Sequence, residues 1–127
     1  MIAVDASALM AIVLDEPAAD ACADALARAT ALVISAATVA EALIVAAGRN
    51  RTEEMTRLID NLGVEVVTVT DAFARNVADA YRRWGKGVHP ARLNFGDCFA
   101  YEVAKQHACP LLFVGDDFAK TDVQSAL

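Results

Sequence analysis

Five acidic residues of this 127-residue sequence stand where a predicted strand ends or a predicted helix begins. Asp5 closes the first strand, Glu41 lies near the start of one helix, and Asp97 opens another. Asp116 and Asp117 directly follow the last strand. Because ligands of open parallel sheets bind at the carboxyl ends of the strands, we expect these carboxylates to meet at one edge of one sheet.

Glu41 is the least expected of these acids, because it stands in the apolar run TVAEALIVAAG with no polar helix face to share. An ionised carboxylate buried without partners costs several kcal/mol or more. At about 100° per residue, Thr38, Glu41 and Val45 form one stripe, which directs Glu41 along the sheet edge. Carboxylates that converge there repel and raise one another's pKa values, and a bound divalent cation removes that penalty. A ligand set of oxygens alone favours Mg²⁺ or Mn²⁺ over zinc.

Each carboxylate also has an ordinary structural explanation. Asp5 has the position of a helix N-cap, and Thr38 and Glu41 have the spacing of a capping box. Asp97 is a common first-turn acid that the helix dipole favours, and the acidic pair after the last strand fits a turn. The convergence of all these acids at one sheet edge favours a metal site over the separate explanations.

The elements that position these residues alternate along the chain. Strands are predicted over residues 1–5, 31–35, 64–69 and 110–115. Helices are predicted over residues 6–16, 18–29, 38–48, 51–63, 70–85 and 95–107. This alternation predicts one α/β domain over residues 1–127, an α/β/α sandwich with a mainly parallel sheet.

The composition excludes a disordered chain, since 57% of the residues are hydrophobic and Gly and Pro are few. The net charge of −6 argues against wholesale electrostatic binding to nucleic acid, although a local basic patch can still act. The three cysteines lack CxxC spacing, which indicates reduced core thiols of a cytoplasmic protein. The apolar stretch 29–48 contains Glu41 and splits into a strand and a helix, so we expect no membrane span.

A basic segment precedes the helix of Asp97. Its cationic residues are Arg82, Arg83, Lys86 and Arg92, four of the eleven Lys and Arg in the chain. Such residues could guide a nucleic-acid backbone without reading its sequence, and Trp84 could stack a base. The alternative is solvated loop charge with Trp84 in the core.

The sequence resembles the PIN-domain ribonucleases, specifically the VapC toxins of VapBC toxin–antitoxin systems. The resemblance covers nearly the whole chain in order and is most specific in the segments LNFGDCFAYEVAK and LLFVGDDFAKTD. It implies an α/β/α fold, an acidic cluster that binds Mg²⁺ or Mn²⁺, and endonucleolytic cleavage of RNA. It also implies a homodimer that a cognate VapB-type antitoxin holds inactive.

Four positions of the family's site carry over directly. The first acid is Asp5, the nearby hydroxyl is Ser7, the helix glutamate is Glu41 and the third acid is Asp97. Asp5 and Asp97 are the expected direct metal ligands. Ser7 is expected to donate a supporting hydrogen bond, and Glu41 to orient a metal-bound water or hold a second ion.

The fourth acid departs from the family pattern. PIN domains commonly carry it as the fifth residue of a strand-end motif L-V-T-x-D-x-x-F, where this sequence has Gly115. We expect Asp116 to fill the role, with Asp117 as its substitute. This departure leaves open a catalytically degenerate PIN fold that only binds a partner.

Two other classes compete less well. A Mg²⁺-binding receiver-like signalling domain needs a lysine shortly after a late strand, and Lys120 lies too far along the chain. A haloacid-type phosphatase needs D-x-D after the first strand, where this sequence has DAS. The apolar N-terminal helices are candidates for a dimer seam or for a groove that receives an antitoxin helix.

Overall fold

A four-stranded parallel sheet lies at the centre of the structure, a computed structural model that describes residues 1–127. Its strands are β1 (Ile2–Val4), β2 (Leu32–Ser35), β3 (Glu65–Val67) and β4 (Leu111–Leu112), in the order β3-β2-β1-β4. Ala3 pairs with Val33 and with Leu111, so the two strands that flank β1 end beside Asp5. Each strand falls within its predicted range and is shorter than predicted.

Six helices cover the sheet. They are α1 (Ala6–Val13), α2 (Ala19–Arg28), α3 (Ala36–Gly48), α4 (Thr52–Asn61), α5 (Asp71–Trp84) and α6 (Phe95–Gln106), and a short 3₁₀ turn, Phe118–Lys120, follows β4. None of them is both long and apolar enough to cross a bilayer.

Both faces of the sheet are buried, because alternate strand residues point to opposite sides. Ala3 and Val33 pack with α5 and α6 in one apolar cluster. Val4 and Ile34 pack with α1, α2, α3 and α4 in a second cluster. These two layers around a parallel sheet confirm the predicted α/β/α architecture.

Helix caps hold the first turns that carry the acids. Asp5 caps α1 by accepting a hydrogen bond from the Ser7 N–H, and Ser35 caps α3 by accepting one from Ala37. Helix α3 therefore begins two residues before the predicted start at Thr38. Thr38 lies inside the helix, so Thr38 and Glu41 do not form the capping box that their spacing allows, and this structural explanation of Glu41 is wrong.

Candidate metal-dependent active site

Asp5 lies at the carboxyl end of the central strand and is 4% exposed. Its Oδ2 accepts hydrogen bonds from the Ser7 N–H at 3.0 Å and from the Ser7 hydroxyl at 2.5 Å. Its Oδ1 is buried and has no hydrogen-bond partner. Burial raises the pKa of Asp5, the hydrogen bonds of Ser7 oppose the shift, and the charge of Asp117 adds to it.

Ser7 links Asp5 to the end of β4. While its hydroxyl donates to Asp5, it accepts a hydrogen bond from the Val114 N–H at 3.0 Å. The Asp5 N–H donates to the Leu112 carbonyl in the same region. The start of α1 and the chain beyond β4 are thereby fixed relative to each other, and only one oxygen of Asp5 remains for a ligand.

Glu41 projects from α3 onto the first turn of α6. Its carboxylate lies against the backbone of Gly96, where an ideal Cβ would be 2.8 Å from the Glu41 Cδ and 3.0 Å from Oε1. Partial burial raises the pKa of Glu41 to about 7, and the charges of Asp5 and Asp97 contribute to the rise. Glu41 therefore lies within the electric field of both other acids, and the ionised form of its carboxylate is disfavoured in the absence of a cation.

Asp97 both caps the start of α6 and belongs to the acidic group. It forms a capping box at the start of α6, in which its Oδ2 accepts from the Asn94 N–H at 3.0 Å and its own N–H donates to Asn94 Oδ1 at 2.8 Å. Burial raises the pKa of Asp97 to about 6, the hydrogen bond from Asn94 opposes the rise, and the charges of Asp5 and Asp117 reinforce it. The cap thus fixes the direction of a carboxylate that also belongs to the acidic group.

Asp116 and Asp117 share the exposed turn after β4, but they act differently on the other acids. The charge of Asp117 raises the pKa of both Asp5 and Asp97, whereas Asp116 contributes to neither shift. Gly115 has a φ of +109°, a conformation that residues with side chains rarely adopt, and it redirects the chain before the pair. Of the two acids, Asp117 is therefore the one whose charge acts on Asp5 and Asp97, whereas Asp116 is the one expected in this role from the sequence.

The residues fit a hard divalent cation by their chemistry. The group contains only carboxylates, and the unpartnered Oδ1 of Asp5 is a buried acceptor that a cation would satisfy. Burial, with the charge of Asp97, raises the pKa of the neighbouring Cys98 to about 11, so this thiol is protonated in the metal-free protein. No three His, Cys, Asp or Glu side chains lie close enough together to form a ready-made metal site.

Sequence reasoning missed Gly96 and did not foresee that the Thr38 hydroxyl is buried without a partner. Thr38 is buried on α3, one helical turn before Glu41, and its hydroxyl is the only other buried side-chain polar atom without a partner. Gly96 supplies the space that the Glu41 carboxylate occupies. The sequence did contain a sign of Gly96, because a glycine in the first turn of a predicted helix takes a position where alanine is favoured.

The predicted basic residues divide into two pairs. Arg82 forms an ion pair with Asp79, and Arg83 lies 3.7 Å from Asp122. Lys86 and Arg92 form no ion pair, and both line one shallow cavity in the loop before α6. Only these last two cations are available to an anionic ligand without first breaking a contact.

Of the two alternatives for Trp84, the structure confirms the one that places it in the core, so Trp84 does not stack a base. Its ring is 9% exposed and belongs to the apolar cluster under α5 and α6, and its indole N–H donates to the Tyr101 hydroxyl at 3.0 Å. The exposed aromatic residue of the first turn of α6 is Phe95, which is 74% exposed and packs edge-on against Phe99 with ring centroids 5.0 Å apart.

Comparison with known proteins agrees with this fold. The family model of the PIN domain matches residues 2–124. Ribonuclease VapC42 of Mycobacterium tuberculosis is 42% identical over 127 residues, 97% of each chain. Ribonuclease VapC36 of the same organism is 45% identical over 125 residues, 95% of this chain and 90% of the relative. The chain belongs to the PIN domain family and, within it, to the VapC proteins.

Solved structures show the same fold at low sequence identity. The crystal structure of Mycobacterium tuberculosis VapC20, described as a sarcin–ricin loop cleaving toxin, superposes with a TM-score of 0.79 at 16% identity, covering 97% of this chain and 96% of that one. A toxin–antitoxin complex from Klebsiella pneumoniae superposes with a TM-score of 0.74 at 16% identity, covering 100% and 98%.

Proposed function

We propose that this protein is a Mg²⁺- or Mn²⁺-dependent endoribonuclease and the toxin of a VapBC-type toxin–antitoxin pair. The observation that carries the proposal is the gathering of Asp5, Glu41 and Asp97 from three separate elements: burial raises the pKa of each carboxyl, and the charges of Asp5 and Asp97 add to the rise for Glu41. Stability alone gives no reason to gather carboxylates in this way, since burial and the charge of a neighbouring acid both raise the cost of ionising them. The ribonuclease names of relatives more than 40% identical over most of the chain support the same activity.

The residues have distinct proposed roles. Asp5 and Asp97 would hold the cation, and Ser7 would keep the Oδ1 of Asp5 directed toward it. A bound divalent ion lowers the pKa of a coordinated water and neutralises phosphate oxygens during hydrolysis of a phosphodiester. Glu41, whose pKa of about 7 lies close to neutral pH, would accept the proton of the attacking water. Asp117 would complete the acidic group.

RNA would approach over the loop before α6. Lys86 and Arg92 are exposed and unpaired there, and they are the proposed contacts to the phosphate backbone. Arg82 and Arg83 would contribute less, because each is already near a carboxylate. The metal is needed first, because the acidic group by itself repels a polyanion.

An antitoxin helix would fit between α1, α2 and α4. These helices leave a cavity of about 440 Å³ that is lined mainly by apolar residues, among them Ile12, Leu26, Leu58 and Leu62. Such a groove accepts the apolar face of an amphipathic helix. The toxin–antitoxin complex among the similar folds supports a partner of this kind.

A homodimer is proposed at a different surface from the one expected. The apolar residues of α1 from Ala6 to Ala11 are mostly buried in their own core, so they are not free to form a seam. On α3, by contrast, Ile44 is 71% exposed beside the half-exposed Val45. We propose α3 as the dimer surface. We also propose that the protein is located in the cytoplasm, which keeps its three free thiols reduced.

The decisive experiment is cleavage of a pool of structured RNAs by the purified protein with Mn²⁺ or Mg²⁺, and then with EDTA. We expect cleavage that requires the metal and disappears in Asp5→Asn, while the exposed control Asp20→Asn cleaves normally. Absence of cleavage by folded, metal-supplied protein would favour a PIN fold that only binds a partner, the alternative that the shifted fourth acid supports. The family match leaves no support for the receiver-like or phosphatase alternatives.

A further inference from the structure

We propose that Gly96 is a positioning residue for the reaction: its missing side chain forms the notch that seats the Glu41 carboxylate beside Asp97. This inference rests on the proposed function, because it assigns Gly96 a role in the same acidic site. It concerns a residue that carries no chemical group of its own.

The backbone does not require glycine at this position. Gly96 lies in the first turn of α6 with an ordinary helical conformation, and the glycines with positive φ are Gly63, Gly87 and Gly115. Glycine in a helix costs about 0.5–1 kcal/mol relative to alanine. Glycine therefore makes the start of α6 less stable than alanine would, and its presence at position 96 needs an explanation other than backbone conformation.

Glycine at position 96 leaves space for the carboxylate of Glu41. All three heavy atoms nearest to an ideal Cβ at position 96 belong to the carboxylate of Glu41: Oε2 is the nearest, followed by Cδ at 2.8 Å and Oε1 at 3.0 Å. Real Cβ atoms do not approach other heavy atoms so closely. Any other residue at position 96 would therefore displace this carboxylate.

The displaced group is the end of a flexible side chain, so the fold itself would tolerate the change. Glu41 and Gly96 come from α3 and α6, two helices that pack together, and no backbone atom of α3 is among the close neighbours. The first turn of α6 also presents the positive end of the helix dipole to the carboxylate. A side chain at position 96 would therefore leave the helices in place and move only the catalytic carboxylate away from its partner Asp97.

The test compares Gly96→Ala with Gly48→Ala, since both place alanine in a helix but only the first meets another side chain. Gly48 ends α3 and has no atom within 4 Å of its ideal Cβ. We expect Gly96→Ala to cleave RNA with Mn²⁺ on the order of 100-fold more slowly than the wild type, as a small misplacement of a catalytic group can cause. Its Tm should not fall, and Gly48→Ala should cleave at the wild-type rate.

A double-mutant cycle with Glu41→Asp separates positioning from a general structural role. Aspartate is shorter by one methylene and withdraws its carboxylate from the notch. Gly96→Ala should then slow cleavage by only about threefold or less beyond Glu41→Asp itself, because interacting residues are not additive. Thermal unfolding without metal supplies a readout independent of activity: Gly96→Ala should raise Tm more in the Glu41→Asp protein than in the wild type.

The outcomes distinguish this inference from the proposed function. If the wild type and Gly48→Ala cleave RNA and Gly96→Ala cleaves equally fast, the notch is wrong and the ribonuclease stands. Equal slowing by Gly96→Ala in both backgrounds would also overturn it. If none of the proteins cleaves RNA, the proposed ribonuclease activity is wrong. The role of Gly96 is then judged by the Tm values of the double-mutant cycle alone. Equal changes in Tm on Gly96→Ala in the wild type and in Glu41→Asp overturn it, and unequal changes support it.

Discussion

The hydroxyl of Ser7 donates a 2.5 Å hydrogen bond to Oδ2 of Asp5, and the backbone N–H of Ser7 donates to the same oxygen. Both bonds use one oxygen, so the buried Oδ1 is left as an acceptor without a hydrogen-bond partner. The same hydroxyl accepts from the Val114 N–H, and a single side chain therefore couples β4 to the first acid.

Replacing Ser7 with alanine should lower the affinity for a cation strongly and the stability of the fold only slightly. Groups that orient a metal ligand typically contribute about 10–100-fold to metal affinity. We expect Ser7→Ala to bind Mn²⁺ at least about tenfold more weakly by calorimetry, and to unfold at a somewhat lower temperature because the Val114 N–H loses its acceptor. Ser125→Ala, at an exposed hydroxyl near the C-terminus, is the matched control and should bind Mn²⁺ normally.

The two acids after β4 should differ in their importance. Asp117→Asn should slow metal-dependent cleavage at least about tenfold, because a neutral amide removes the charge that acts on Asp5 and Asp97. Asp116→Asn removes a charge of the same sign from the adjacent exposed position and should cleave within about twofold of the wild type, as is usual for surface changes. Single-turnover cleavage rates of both variants decide the assignment, and the reverse order would restore Asp116 as the fourth acid.

The sequence predicts the order of the strands and helices better than it predicts their boundaries. The order and type of every strand and helix could be predicted, because apolar spacing and β-branched runs reflect burial on the two faces of the sheet. The boundaries were less accurate. Helix α1 ends at Val13 because Asp15 adopts a φ of +53° before Pro17, and α3 begins early because Ser35 both ends β2 and caps the helix.

The parts of the site that could not be predicted depend on conformation and on long-range packing. Spacing alone does not show that Gly115 adopts a positive φ before the acidic pair, or that the charge of Asp117, not that of Asp116, adds to the pKa of Asp5. Likewise, a tryptophan in a basic segment can be exposed or buried, and its hydrogen bond with Tyr101, 17 residues further along the chain, is what places Trp84 in the core.

The metal-free protein should become less stable as pH rises from about 4.5 to about 7. The ordinary pKa of Glu41 is 4.5, and burial with the charges of Asp5 and Asp97 raises it to about 7 in the folded state. The folded protein therefore holds more protons than the unfolded chain in this range, so raising the pH favours unfolding. The rise of the Asp97 pKa to about 6 acts in the same direction.

Thermal unfolding at several pH values measures this effect. Tm should fall between pH 5 and pH 7.5 without metal, and Mn²⁺ should raise Tm more at pH 7.5 than at pH 5, because ionised carboxylates bind the cation. Glu41→Gln, which cannot ionise at this position, should show a smaller fall in Tm. A Tm of the metal-free wild type that rises over the same interval would contradict the shared acidic site.

Lys86 and Arg92 should account for much of the salt dependence of RNA binding. Each phosphate contact to a single strand contributes about 0.7 to the slope of log affinity against log salt concentration. Binding of a non-cleaved RNA by the Asp5→Asn protein, with and without Lys86→Ala and Arg92→Ala, should therefore show a slope smaller in magnitude by about 1.4 in the triple variant. Arg82→Ala in the same background is the control, since Arg82 is already paired with Asp79, and its slope should change little. An equal change in both proteins would mean that the ion pair on α5 opens for RNA and that the whole basic segment binds the backbone.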